Sequence, residues 1–110
     1  MKISLFRKSV ARILEKLPPV LLRELNGGVS VFPEKKREGD CLIMGEYIED
    51  PGLGNLVALY WGSFAEALGG TSPEEWEEEI EETVLHELRH HVESLAGVDY
   101  LGEEDEREFG

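Results

Sequence analysis

His86-Glu87-Leu88-Arg89-His90 places two imidazoles and one carboxylate at the spacing that a zinc-dependent hydrolytic site uses. On an α-helix, residues i and i+4 lie one above the other, so His86 and His90 can converge on one ion from a single rigid element. Glu87 sits about 100° around the helix from His86, within reach of a water at that ion without being a ligand itself. Zinc there would bring the pKa of that water down to about 7, with Glu87 as general base during attack on a peptide carbonyl and then as proton donor to the leaving amine. His91 points about 100° away from His90, which suits a hydrogen-bonding support for the site or a surface residue better than a ligand to the same ion.

A long helix must carry this group. Ser72-Pro73-Glu74-Glu75 reads as an N-cap serine, a proline at the first helical position and a capping-box glutamate. The pattern then runs from Pro73 to Ala96, with Gly97 placed to end it in a left-handed conformation. Trp76, Ile80, Val84, Leu88, Val92 and Leu95 form the stripe expected to face a core. The face bearing His86 and His90 also carries Glu79, Glu82, Thr83 and Glu93 and lies beside that stripe, as a cleft requires.

The stretch Thr83-Val-Leu-His-Glu-Leu-Arg-His-His-Val-Glu-Ser-Leu-Ala-Gly-Val-Asp, followed by an acidic segment, resembles the small zincin-like metallopeptidases of bacteria. The resemblance is sharpest over residues 80 to 106. It implies an α+β chain with a minimal zincin-like fold: a small sheet packed on the HExxH helix, one bound zinc ion, His86 and His90 as ligands, and Glu87 as base. By the same resemblance, Leu56 to Tyr60 is the expected edge strand that pairs with substrate backbone, since strand addition binds extended peptides while reading little of their sequence.

The third ligand is open. The metzincin-like spacing would put a glycine and the next ligand at positions held here by Glu93 and Ala96. The helix therefore runs about one turn further before the chain can double back. A strand returning at about 3.3 Å per residue favours Asp105, with Asp99 and Glu104 as alternatives.

The remaining elements are shorter. Ile3, Phe6, Val10, Ile13, Leu14 and Leu17 recur at helical spacing and predict an amphipathic N-terminal helix, stopped by Pro18-Pro19, with a short second helix starting near Val20. Val29 to Phe32, Cys41 to Ile48 and Leu56 to Tyr60 read as strands of a small mixed sheet, with Cys41 a buried strand residue. Pro33 to Asp40, Asp50 to Asn55 and Gly69 to Ser72 are candidate loops around the cleft. Tyr60 or Tyr47 could donate to an oxyanion.

Length and composition bound the rest. The 110 residues, 41% of them apolar, fit a single domain spanning 1–110. One cysteine excludes an internal disulfide, and neither a signal peptide nor a spanning segment is visible, so a cytoplasmic protein is expected. The net charge of −13 is uneven: residues 1 to 26 hold six basic and two acidic side chains, the remainder five basic and 22 acidic. A basic arm docking on an acidic body follows, and the acidic surface argues against nucleic acid. A peptide or protein substrate that is steered electrostatically should be cationic. The alternative to a peptidase is a non-catalytic zincin-like module that binds metal or another protein.

Overall fold

The computed structural model describes residues 1–96. Helix α1 (Ile3–Lys16) buries Phe6, Ser9, Val10 and Ile13 on one face. It ends at Leu17, whose extended backbone (φ −82°, ψ 148°) is what a following proline enforces. The chain then makes one 3₁₀ turn, Pro19–Leu22, in place of the expected second helix.

Five strands follow: β1 (Gly28–Phe32), β2 (Lys36–Glu38), β3 (Cys41–Ile43), β4 (Gly45–Asp50) and β5 (Gly54–Tyr60). The main sheet is mixed and three-stranded, in the order β1-β5-β4. β5 pairs parallel with β1, from Gly28↔Leu56 to Phe32↔Tyr60, and antiparallel with β4, from Gly45↔Leu59 to Asp50↔Gly54. The β4–β5 turn is held by Asp50 Oδ1, which accepts from the Gly52 and Leu53 amides at 2.7 and 2.8 Å. It closes with Gly54 at φ 87°, a conformation that glycine adopts without steric cost.

Three expectations do not hold. The 41–48 strand is broken at Met44: Cys41–Ile43 pairs with β2 in a separate two-stranded ribbon, and only Gly45 onward joins the sheet. Cys41, opposite Glu38 at the tip of that ribbon, is exposed rather than buried. The stretch from Pro33 to Asp40 is likewise not all loop, since it contains β2.

Helix α2 (Trp61–Leu68), absent from the elements read in the sequence, follows β5 directly. Helix α3 (Pro73–Leu95) starts as expected, with Ser72 Oγ accepting from the Glu75 amide at 3.2 Å. Aromatic side chains join the helices: Phe6 of α1 lies 4.9 Å from Phe64 of α2 and 6.2 Å from Trp76 of α3, centroid to centroid, both edge to face. Each such ring contributes about 1.5–3 kcal/mol by leaving water. At the rim the basic arm meets the acidic body through the Arg12–Glu77 ion pair. Among the described residues no helix is long and apolar enough to cross a membrane.

Val92 and Leu95 do not belong to the buried stripe, as each is 37% exposed. The buried face of α3 runs instead through Trp76, Ile80, Val84, Glu87, Leu88 and His91. It therefore includes two polar residues that hydropathy alone would place outside.

Candidate metal centre and cleft

The α3 helix and strand β4 together build the site. Residues alternate along β4: Tyr47 and Glu49 turn towards α3, where they meet His91 and Ser94, while Glu46 turns to the opposite face of the sheet and meets Tyr60. Gly45 is where the two elements come closest. A Cβ there would stand 2.8 Å from Thr83 Cγ2 and 3.1 Å from the Ala58 carbonyl oxygen, so only glycine lets β4 approach α3 this closely.

His86 and His90 are both exposed on α3. Their ring centroids are 5.0 Å apart with the planes nearly perpendicular, close enough for one ion to lie between them after side-chain rotation. The Glu93 carboxylate lies 3.8 Å from His90 Nδ1 and is also within 3.3 Å of Arg89 Nε.

Glu87 is different in kind. It is only 9% exposed, and burial pushes its carboxyl above the ordinary carboxylate range, against the pull of His86 and His90 in the other direction. A carboxyl held up in this way is a better proton acceptor near neutral pH than an exposed glutamate.

His91 is fully buried. Its Nε2 lies 2.6 Å from the Arg23 carbonyl oxygen, which can only accept, so this nitrogen carries the proton. Nδ1 then accepts from the Tyr47 hydroxyl at 2.9 Å. His91 thus ties α3 to β4 and to the segment after the 3₁₀ turn, and it is neither a ligand nor a surface residue.

Both tyrosines considered for an oxyanion are committed elsewhere, Tyr47 to His91 and Tyr60 to Glu46 Oε1 at 2.7 Å. Lys36 Nζ donates to the same Glu46 oxygen at 2.6 Å. The lysine first, and then the tyrosine hydroxyl, hold the Glu46 carboxyl below its usual range. A folded-state pKa below the unfolded one stabilises the fold above the unfolded pKa, and that stabilisation is lost as pH falls through the lowered value. Glu46→Gln is therefore expected to lower the unfolding temperature at pH 7, with the gap from wild type closing as acid protonates Glu46. Thermal scans across a pH series check this.

Two hollows flank Glu87. One of about 740 Å³ is floored by Leu42, Ile43, Met44 and Leu85, and another of about 640 Å³ runs past Tyr47, Glu49 and His90. They meet at Ile43, Gly45 and Glu87. The strand beside them is β4, at the edge of the sheet, whereas Leu56 to Tyr60 is its centre. The expectation that Leu56 to Tyr60 offers a free edge is thereby overturned, since β1 and β4 occupy both of its sides.

Among the described residues no group of three or more His, Cys, Asp and Glu side chains is gathered to hold a metal ion. His86 and His90 fit two positions of a tetrahedral zinc site, the number that one helix can supply. Asp105, Asp99 and Glu104 lie outside the described residues.

A sequence model of the zincin-like metallopeptidase family matches residues 39–107, which takes in β3, the β4–β5 hairpin, α2 and all of α3. The solved structure of a conserved hypothetical protein from Thermus thermophilus is similar, with a TM-score of 0.76 and 42% identity over 87% of this chain and 98% of that one. No curated protein matches. With the HExxH helix, the mixed sheet laid against it and a family match that takes in α3 and the β4 and β5 strands of that sheet, this chain belongs to the zincin-like metallopeptidases.

Proposed function

We propose that residues 1–110 form one cytoplasmic zinc-dependent peptidase domain that hydrolyses peptide bonds, with His86 and His90 as ligands to a single ion and Glu87 as the general base. The observation that carries this reading is the position of Glu87: nearly buried, on the turn between the two histidines, and lining both hollows of the cleft. Asp105 is the favoured third ligand, ahead of Asp99 and Glu104. Zinc, when bound, supplies Lewis-acid activation of water and of the carbonyl under attack.

The chain's own residues do the rest. Glu87 takes a proton from water as the new C–O bond forms, and returns it to the amine nitrogen as the C–N bond breaks. Burial raises its proton affinity, which favours the first of these transfers. Strand β4, with one side unpaired among the described residues, offers backbone groups to an extended peptide and holds the scissile bond over the helix.

Glu87→Gln keeps the shape and removes the base. It is expected to lower peptide hydrolysis by about 10²–10⁴-fold while zinc content stays at one ion per chain. Undiminished hydrolysis in that variant would refute the assignment of Glu87. A second reading is a non-catalytic zincin-like module that binds metal or another protein. It predicts bound zinc and no hydrolysis of any peptide by the wild type.

A further inference from the structure

The two hollows that meet at Glu87 differ in lining, the first carrying more aliphatic side chains and an arginine, the second more glutamates. The first is floored by Leu42, Ile43, Met44 and Leu85, with Glu79, Glu82 and Arg89 among its other lining residues. The second is lined by Glu38, Glu49, Glu87, Glu93 and the Glu46 position of β4, and by no lysine or arginine.

Glu46 is already neutralised by Lys36, and Glu93 is partly offset by Arg89. Glu38 and Glu49 have no cationic partner among the described residues. Glu49 accepts from the Ser94 hydroxyl at 2.8 Å, which fixes its direction without cancelling its charge. Glu87, more than nine-tenths buried, opens into the same hollow and makes no ion pair among the described residues. A negative wall beside a buried carboxylate raises the local concentration of cations and favours a positively charged side chain lying along it.

We infer that the cleft selects extended peptides with a bulky apolar side chain on one side of Glu87 and a lysine or arginine on the other. This rests on the peptidase reading above and adds the substrate class to it. The geometry supports one strand-like occupant. The segment Leu42–Glu49 passes both hollows in chain order, first against residues 79–89 of α3 and then against residues 87–94. A peptide laid beside it reaches both hollows with side chains a few residues apart. The apolar floor gives contact area, and Glu38 and Glu49 give charge.

Binding and cleavage test this separately. Zinc-loaded Glu87→Gln protein is titrated into fluorescent octapeptides whose central pair is Leu-Arg, Leu-Glu or Ser-Arg, each in both orders, with anisotropy as the readout. A Leu-and-Arg peptide is expected to bind about tenfold more tightly than either control, with the gap over Leu-Glu narrowing as salt is raised. Adding Glu49→Lys should abolish the discrimination against Leu-Glu, and adding Leu42→Ser the discrimination against Ser-Arg. Should circular dichroism show Glu49→Lys unfolded, Glu38→Gln/Glu49→Gln replaces it.

Peptides binding within twofold of one another, no binding at all, or discrimination that survives these variants would overturn the inference. The wild type is then given the same peptides. Discrimination without cleavage supports the subsites and overturns the peptidase reading. Equal cleavage of all peptides does the reverse.

Discussion

Replacing His86 by alanine is expected to weaken zinc binding on the order of 10³-fold while leaving the metal-free fold intact. One imidazole of a two-histidine helical pair is lost, and a tetrahedral site deprived of one protein ligand must fill the position with water. The fold should not notice, because the His86 side chain is exposed and makes no hydrogen bond among the described residues. Competition with a chelating dye gives the affinity, and thermal unfolding in chelator gives the stability. Equal affinity in variant and wild type would mean that zinc, if bound, is bound elsewhere.

His91→Ala should show the opposite signature. Its ring is fully buried between the Tyr47 hydroxyl and the Arg23 carbonyl, so truncation opens a cavity and strands both partners. Stranding a buried polar group costs about 1–3 kcal/mol and a large-to-small cavity about 2–5 kcal/mol, which together amount to about 3–5 kcal/mol once the site relaxes. That is a large fraction of the roughly 5–15 kcal/mol that holds a typical domain together. The folded fraction should still bind zinc with near wild-type affinity, because His86 and His90 remain on one helical face. Denaturant unfolding with and without zinc separates the two effects. A loss of zinc affinity comparable to that of His86→Ala, at unchanged stability, would make His91 part of the metal site instead.

How much of this is legible in the sequence differs between elements. The start of α3 is readable because its signals are local: Ser72, Pro73 and Glu75 act within one turn. The buried face of α3 departs from the expected stripe beyond Leu88, because apolar character points to Val92 while the helix geometry carries the face on to His91. A polar residue becomes a core residue only if distant partners satisfy it, and Arg23 and Tyr47 are 68 and 44 positions away.

Strand β5 carries a signal that points away from the edge position expected for it. Leu56-Val57-Ala58-Leu59-Tyr60 is an unbroken apolar run without alternation, the mark of a strand covered on both faces, and every residue in it is buried. Its place at the sheet centre follows from that pattern more directly than an edge position does. Helix α2 is also readable, from Trp61, Phe64, Ala65 and Leu68 at helical spacing. The break at Met44 is not, because it depends on which partner each half of the segment finds. The cleft walls Leu42 and Glu49, one on each side of that break, are therefore out of reach too.

The aromatic contact between Phe6 and Trp76 also constrains the order in which the molecule can assemble. Its two rings are 70 positions apart in the chain, so α1 emerges from the ribosome long before the surface that will cover it exists. Until α3 follows, the apolar stripe of α1 has only part of its cover, Phe64 of α2 included, and closure of this large loop is a late event of the kind that slows folding. During synthesis the metal-site helix is thus the last described element to appear and the one that completes the core.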